Sequence, residues 1–162
     1  MTTLVRTVVV AKPLDRVFDY LSDFTTTTEW DPGTVRTERV SGDGGVGTEY
    51  HNTSRFAGRE TELTYVVEKL VPGEVFALRG ENKTVVAHDT MRFRDTGSGT
   101  EVTYTADFAF QGLLGTLSPV LGVVMAPAFK KLGDEAEKGM RDALERLCPP
   151  PPPARGGPAR GG

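Results

Sequence analysis

The fold can be inferred from two neighbouring segments, TEVTYTADFAF at residues 100–110 and FKKLGDEAEKGMRDALERL at residues 129–147. In the first segment, apolar side chains recur at every second residue, which is the period of a β-strand that buries one face. In the second, they recur every three or four residues with charged residues between them, as on an amphipathic helix. The pattern therefore predicts a final strand followed by a long C-terminal helix.

The chain upstream of these segments predicts further strands. Residues 34–111 contain recurrent turn signals with alternating runs between them, which is typical of an antiparallel meander, here of six strands that include residues 100–110. Residues 2–11 (TTLVRTVVVA) are rich in β-branched side chains and predict one more strand.

Two short helices are predicted between the first two strands. Pro13 fits the first position of a helix, because its missing N–H needs no partner there. The apolar residues that follow have helical spacing through Leu21, and the segment from Phe24 to Trp30 predicts a second helix. Pro32 ends that helix, because the residue before a proline leaves the α region.

These elements combine into an α+β domain. A curved seven-stranded antiparallel sheet has an apolar face that must be covered, and the long C-terminal helix is the element available to cover it. The domain is expected to span residues 1–147. Residues 148–162 are rich in Pro, Gly and Arg without a large apolar side chain, and they are expected to form a disordered tail.

Composition and charge argue against several functional classes. The 162-residue chain has a net charge of -3, which predicts no basic surface for nucleic acid. The single cysteine, Cys148, suits a reducing cytoplasm, and the first residues lack the pattern of a signal peptide. The uncharged residues 112–129 fall short of the ~20 that a spanning helix needs and contain prolines. We therefore expect a cytoplasmic protein without stable membrane insertion.

Five short motifs carry a family resemblance: KPLDRVF at 12–18, EWDPG at 29–33, GVGT at 45–48, LVPG at 70–73 and GSGTEVTY at 97–104. Their order and spacing resemble the START-like (SRPBCC) superfamily, and within it the polyketide cyclase/dehydrase-like branch. The resemblance covers residues 2–147. It implies a helix-grip fold, in which the sheet wraps around the C-terminal helix and a hydrophobic ligand lies between them.

The resemblance implies two alternative functions. The first is binding of a lipid-like or polyketide-like molecule in the internal cavity. The second is a polyketide cyclase or dehydrase (an aromatase/cyclase) that acts on a ketide chain in the same cavity and needs a positioned acid or base. Binding is favoured, because the sequence offers few such groups.

No cofactor is expected from the motifs. Residues 42–47 match G-x-G-x-x-G, but a predicted strand follows them where a dinucleotide site needs a helix. They fit a hairpin turn instead. The two histidines, His51 and His88, fall on the outer face of their strands by alternation, which disfavours a histidine base or a zinc site.

Asp89 is the candidate catalytic residue. It precedes Met91 and Phe93 by two and four residues, so it shares their inner face. A carboxylate in an apolar cavity has a raised pKa and can act as an acid or base, although a structural carboxylate is the alternative. A few polar groups among apolar walls suit a ligand site. The predicted ligand-binding residues are Trp30, Tyr50, Asn52, Ser54, Tyr65, Met91, Phe93, Tyr104 and Phe108.

Overall fold

A computed structural model describes residues 2–148. The strands in this part of the chain are β1 (Thr2–Val10), β2 (Thr34–Ser41), β3 (Glu49–Phe56), β4 (Arg59–Val71), β5 (Val75–Glu81), β6 (Val85–Asp95) and β7 (Thr100–Phe110). The helices are α1 (Leu14–Leu21), α2 (Thr27–Trp30), α3 (Gly112–Thr116) and α4 (Ser118–Glu145). A 3-10 turn, Phe24–Thr26, leads into α2.

The described strands form one seven-stranded antiparallel sheet in the order β1-β7-β6-β5-β4-β3-β2. Consecutive strands from β2 to β7 pair as hairpins, and the last strand, β7, also pairs with the first strand, β1. The predicted meander with one added strand is therefore confirmed. Register shifts in the β2–β3 pair and near Val67 mark irregularities of the kind that increase the twist and bend of a sheet.

The short helices lie between β1 and β2, as predicted, with one difference at the start of α1. Pro13 is the N-cap and has extended backbone angles (φ -60, ψ 143), so the helix begins at Leu14. Proline is suited to either position, because its φ matches both conformations and neither needs its N–H. The second helix ends at Trp30, before the Asp31-Pro32 pair.

The long helix α4 covers the inner face of the sheet. It begins at Ser118, directly before Pro119, and it continues through Pro127. Its predicted apolar stripe is buried at Phe129, Ala136 and Met140, among others. The charged residues off the stripe form i,i+4 ion pairs such as Lys138–Asp142, at 2.8 Å.

The remaining predictions concern the chain outside these elements. Gly42, Gly44 and Gly47 have positive φ in the β2–β3 connection, which confirms a hairpin loop. Cys148 is exposed. The predicted disordered tail comprises residues 148–162; the part of it after Cys148 lies outside the described residues and stays a prediction. Between residues 2 and 148, no helix is both long enough and apolar enough to cross a bilayer.

Candidate functional site

A cavity of about 260 Å³ lies between the sheet and the middle of α4. Its walls come from the inner faces of β3, β4, β6 and β7, from the α2 region and from α4. Aromatic rings dominate the lining: Phe24, Trp30, Phe56, Tyr65, Tyr104, Phe108, Phe110 and Phe129. Phe129 of α4 packs against Phe56 and Phe108 of the sheet, with ring centroids 4.8 and 5.3 Å away. The helix and the sheet are therefore in contact through these rings, which enclose part of an apolar cavity.

The inner face of the sheet is divided between this cavity and a packed core. At the core end, α1 and the last turns of α4 fill the space. The Phe18 ring of α1 lies 5.0 Å from the Phe93 ring, and Met140 and Leu144 are fully buried. The change from core to cavity occurs along each strand, at Tyr65 in β4, Asp89 in β6 and Tyr104 in β7. We refer to these three residues as the Asp89 cluster.

Asp89 lies at the deep end of the cavity wall with only 4% of its surface exposed. The Tyr104 hydroxyl donates a hydrogen bond to its Oδ1 at 3.2 Å. Burial raises the pKa of the Asp89 carboxyl from 3.8 to about 7, although hydrogen bonds from Tyr65 and Tyr104 act to lower it. Near neutral pH, this carboxyl can therefore give or accept a proton.

Tyr65 reaches Asp89 across an intervening strand. In the register of the sheet, Tyr65 of β4 pairs with Gly80 of β5, which pairs with Ala87 of β6. A Cβ at Gly80 would lie only 2.5 Å from the Tyr65 ring. Because Gly80 has no side chain, the Tyr65 ring can lie directly over its backbone. Burial raises the pKa of the Tyr65 and Tyr104 hydroxyls well above their usual range, so both act as hydrogen-bond donors.

A second carboxyl group, Asp31, lines the same cavity and was not among the predicted site residues. Its oxygens accept hydrogen bonds from the Gly33 N–H at 3.0 Å and from the Thr34 hydroxyl at 2.8 Å. Burial raises the pKa of Asp31, against the lowering effect of those bonds. Its negative charge also raises the pKa of Asp89. The sequence signal for Asp31 was its place in the α2–β2 turn, which predicted only a helix end.

Asn52 and Ser54 line the cavity but have partners within the protein. Ser54 Oγ donates to Asn52 Oδ1 at 2.6 Å, and Asn52 Nδ2 donates to Thr37 Oγ1 at 2.8 Å. Thr37 in turn shares a hydrogen bond with Thr27. This network joins β2, β3 and α2, so the two residues stabilise the wall whether or not a ligand is bound.

Trp30 and Phe108 also lie on the cavity wall, where the sequence predicted them. The Trp30 ring packs edge-on against Tyr104, with centroids 5.7 Å apart. Trp30 is 2% exposed, and its Nε1 has no hydrogen-bond partner among the described residues. A Cβ at Gly139 of α4 would lie 2.0 Å from the Trp30 carbonyl oxygen. The close contact between α2 and α4 at this glycine therefore positions the Trp30 ring.

Three predicted ligand-binding residues do not reach the cavity. Tyr50, Met91 and Phe93 have the expected inward orientation, but all three are buried in the packed core. Met91 and Phe93 lie beyond the Asp89 cluster along β6, where α1 and the end of α4 fill the space. Tyr50 pairs with Tyr65 in the sheet register, and the Phe24 ring packs against it at 5.5 Å. Alternation gives the face of a residue and not the depth at which the covering helix leaves a void.

The histidines lie on the outer face, as alternation predicted. His51 and His88 are partly exposed and lie 3.9 and 3.8 Å from Glu62 and Glu68, respectively. Across residues 2–148, no group of three His, Cys, Asp or Glu side chains is placed to hold a metal ion.

Comparison with known proteins agrees with the fold. Residues 1–147 match the family described as polyketide cyclase / dehydrase and lipid transport. Among curated proteins, none matches the sequence. The Zhui aromatase/cyclase from Streptomyces sp. R1128 has a similar structure, with a TM-score of 0.75 and 18% identity over 90% of this chain and 94% of that one.

Two further solved structures share the architecture. A START superfamily protein from Mycobacterium smegmatis has a TM-score of 0.74 and 13% identity, covering 90% of this chain and 99% of that one. A protein from Thermus thermophilus has a TM-score of 0.70 and 17% identity, covering 88% and 97%. At these identities the likeness establishes the fold alone. The family match spans nearly the whole chain, and the protein therefore belongs to the polyketide cyclase / dehydrase and lipid transport family.

Proposed function

We propose that this protein binds a small hydrophobic molecule in the cavity between its sheet and α4. The supporting observation is the cavity itself, which is lined mainly by aromatic rings and has a few polar groups at its deep end. An apolar cavity of about 150 Å³ is large enough for benzene. A volume of about 260 Å³ therefore suits a ligand of one or two rings, or an aliphatic chain of similar volume.

A neutral fluorescent probe tests this proposal. N-phenyl-1-naphthylamine is expected to bind the folded protein at micromolar concentration and to be displaced by naphthalene. Ala136, buried on α4, lines the cavity, so Ala136→Phe should place a ring in the void and weaken probe binding at least tenfold.

Ala126→Phe is the matched control, because it makes the same change on an exposed position of α4 away from the cavity. It is expected to leave the affinity unchanged. Ser54→Phe fills the cavity from the sheet side, and it is the alternative test variant if Ala136→Phe does not fold. Equal probe affinity in a folded cavity-filling variant and in the parent would contradict the proposal.

Proton-transfer chemistry on a ketide substrate is the second candidate function, and the Asp89 cluster supports it. In a dehydration, a carboxylate takes a proton from the carbon beside a carbonyl. The neighbouring hydroxyl then leaves with a proton as water, and a C=C bond forms. A carboxyl with a pKa of about 7 is suited to both transfers.

Asp89→Asn separates the two functions. If Asp89 is the acid or base, turnover of a β-hydroxyketone substrate should fall by roughly 10²- to 10⁴-fold, with binding nearly intact. If the protein only binds, the parent should show no turnover. The change in ligand affinity should then stay within about 1–3 kcal/mol, the scale of one polar contact. Full turnover in the variant would exclude Asp89 as the catalytic group.

A further inference from the structure

The charges on the cavity wall are unbalanced. Asp31 and Asp89 are the acidic groups of the lining, and Arg55 is its basic group. The Arg55 side chain is 63% exposed and pairs with Glu60 at 3.0 Å, so its charge is balanced at the surface. The buried part of the cavity therefore presents carboxyl groups to a ligand without a matching cation.

Asp89 in particular lacks a charged partner. Within the part of the chain that the structure describes, no Lys, Arg or His side chain forms an ion pair with Asp89 or Asp31, and Asp89 is bonded by tyrosine hydroxyls. Buried carboxylates in proteins are usually paired with a cation or a metal ion. A carboxyl group that is this deeply buried, lines the cavity and has no cationic side chain beside it is suited to a ligand that supplies a positive charge.

The surrounding groups favour a positive ligand over a neutral one with a carbonyl. Asp31 acts on Asp89 through its charge. The negative charge of Asp31 repels the partly negative oxygen of a carbonyl group and attracts an ammonium group. Aromatic rings surround this end of the cavity in two contacting pairs, Phe24–Tyr65 at 4.8 Å and Trp30–Tyr104 at 5.7 Å. Faces of such rings attract cations.

We propose that the ligand of this cavity is a hydrophobic amine, with its protonated nitrogen at Asp89 and its apolar body toward Phe108 and Phe129. This inference rests on the proposed binding function and gives it a ligand class. The tyrosine hydroxyls keep the carboxylate oriented, and the ammonium group replaces the cation that the protein does not provide.

Three ligands of one shape test the proposal: 2-naphthylmethylamine, 2-naphthylmethanol and 2-naphthoate, titrated calorimetrically into the full chain at pH 8. The amine is expected to bind at least tenfold more tightly than the alcohol, and the carboxylate is expected to bind most weakly. Asp89→Asn should lower the amine affinity at least tenfold and change the alcohol affinity by less than threefold. Asp142→Asn, at a partly exposed position on α4 outside the cavity lining, should leave all three affinities unchanged.

The outcomes distinguish this inference from the proposed function. If the alcohol binds as tightly as the amine, or if Asp89→Asn leaves the amine affinity unchanged, the amine assignment is overturned and the hydrophobic cavity stands. If the parent binds none of the three ligands nor the neutral probe, the proposed binding function fails, and the amine assignment fails with it.

Discussion

Asp89→Asn is expected to raise the melting temperature at pH 8 and to leave it nearly unchanged at pH 4. In the folded protein the carboxyl holds its proton up to a pH of about 7, its raised pKa, whereas in the unfolded chain it ionises near 3.8. Below the unfolded pKa both states are protonated, and the parent has its full stability. As the pH rises toward 7, the unfolded state loses the proton first, so stability falls.

The loss reaches up to about 4 kcal/mol above the folded pKa, since each pKa unit corresponds to about 1.4 kcal/mol. Asparagine removes the charge and keeps an oxygen that can accept the Tyr104 hydrogen bond. The other groups that act on Asp89 are Tyr65, Asp31 and Asp107, and none of them is a cation. The variant is thus expected to melt roughly 5–15 °C above the parent at pH 8.

Thermal unfolding followed by circular dichroism from pH 4 to pH 8 measures this difference. Asp142→Asn is the control, because its carboxylate is open to solvent and pairs with Lys138 at 2.8 Å, so its removal relieves no buried charge. It should give no stabilisation at pH 8. A constant difference between Asp89→Asn and the parent across the pH range would contradict the expectation and would indicate that the Asp89 charge is compensated in the native state.

Gly139→Ala is expected to destabilise the protein by about 2–4 kcal/mol, because α4 and α2 touch at this glycine. The added Cβ would lie 2.0 Å from the Trp30 carbonyl oxygen, a backbone atom that cannot rotate away. The helices must then separate, which also moves Trp30 and Asp31 on the cavity wall. The melting temperature should fall by roughly 5–10 °C, and probe affinity should fall with it.

Gly122→Ala is the matched control on the same helix. Its added Cβ meets the Thr2 hydroxyl oxygen at 3.8 Å, which is an ordinary contact. Alanine is favoured over glycine inside a helix by about 1 kcal/mol, so this variant should melt slightly above the parent. Differential scanning calorimetry of both variants should therefore show shifts of opposite sign. A rise in the melting temperature of Gly139→Ala would show that α2 and α4 do not pack as closely as described.

Local periodicity was sufficient to predict the elements and the faces of this protein. The alternation in residues 100–110 and the stripe in residues 129–147 predicted β7 and the buried face of α4. The same alternation placed Asp89 and Tyr104 inside and His88 outside. These properties depend on the geometry of a single element, since a strand has a period of two and a helix a period near 3.6.

The sequence alone therefore determined the fold class, the inner face of the sheet and the order of the elements other than the short helix α3. Only the tertiary structure decided which inner residues line a cavity, because that depends on where α1 and α4 cross the sheet. Met91 and Asp89 share one face of β6, but α1 and the end of α4 fill the space at Met91, and the space beside Asp89 stays open. Asp31 and Asp89 line the same cavity, and the Tyr65 ring lies over Gly80, although the two residues of each pair are distant in the chain. A local pattern carries no information about such distances.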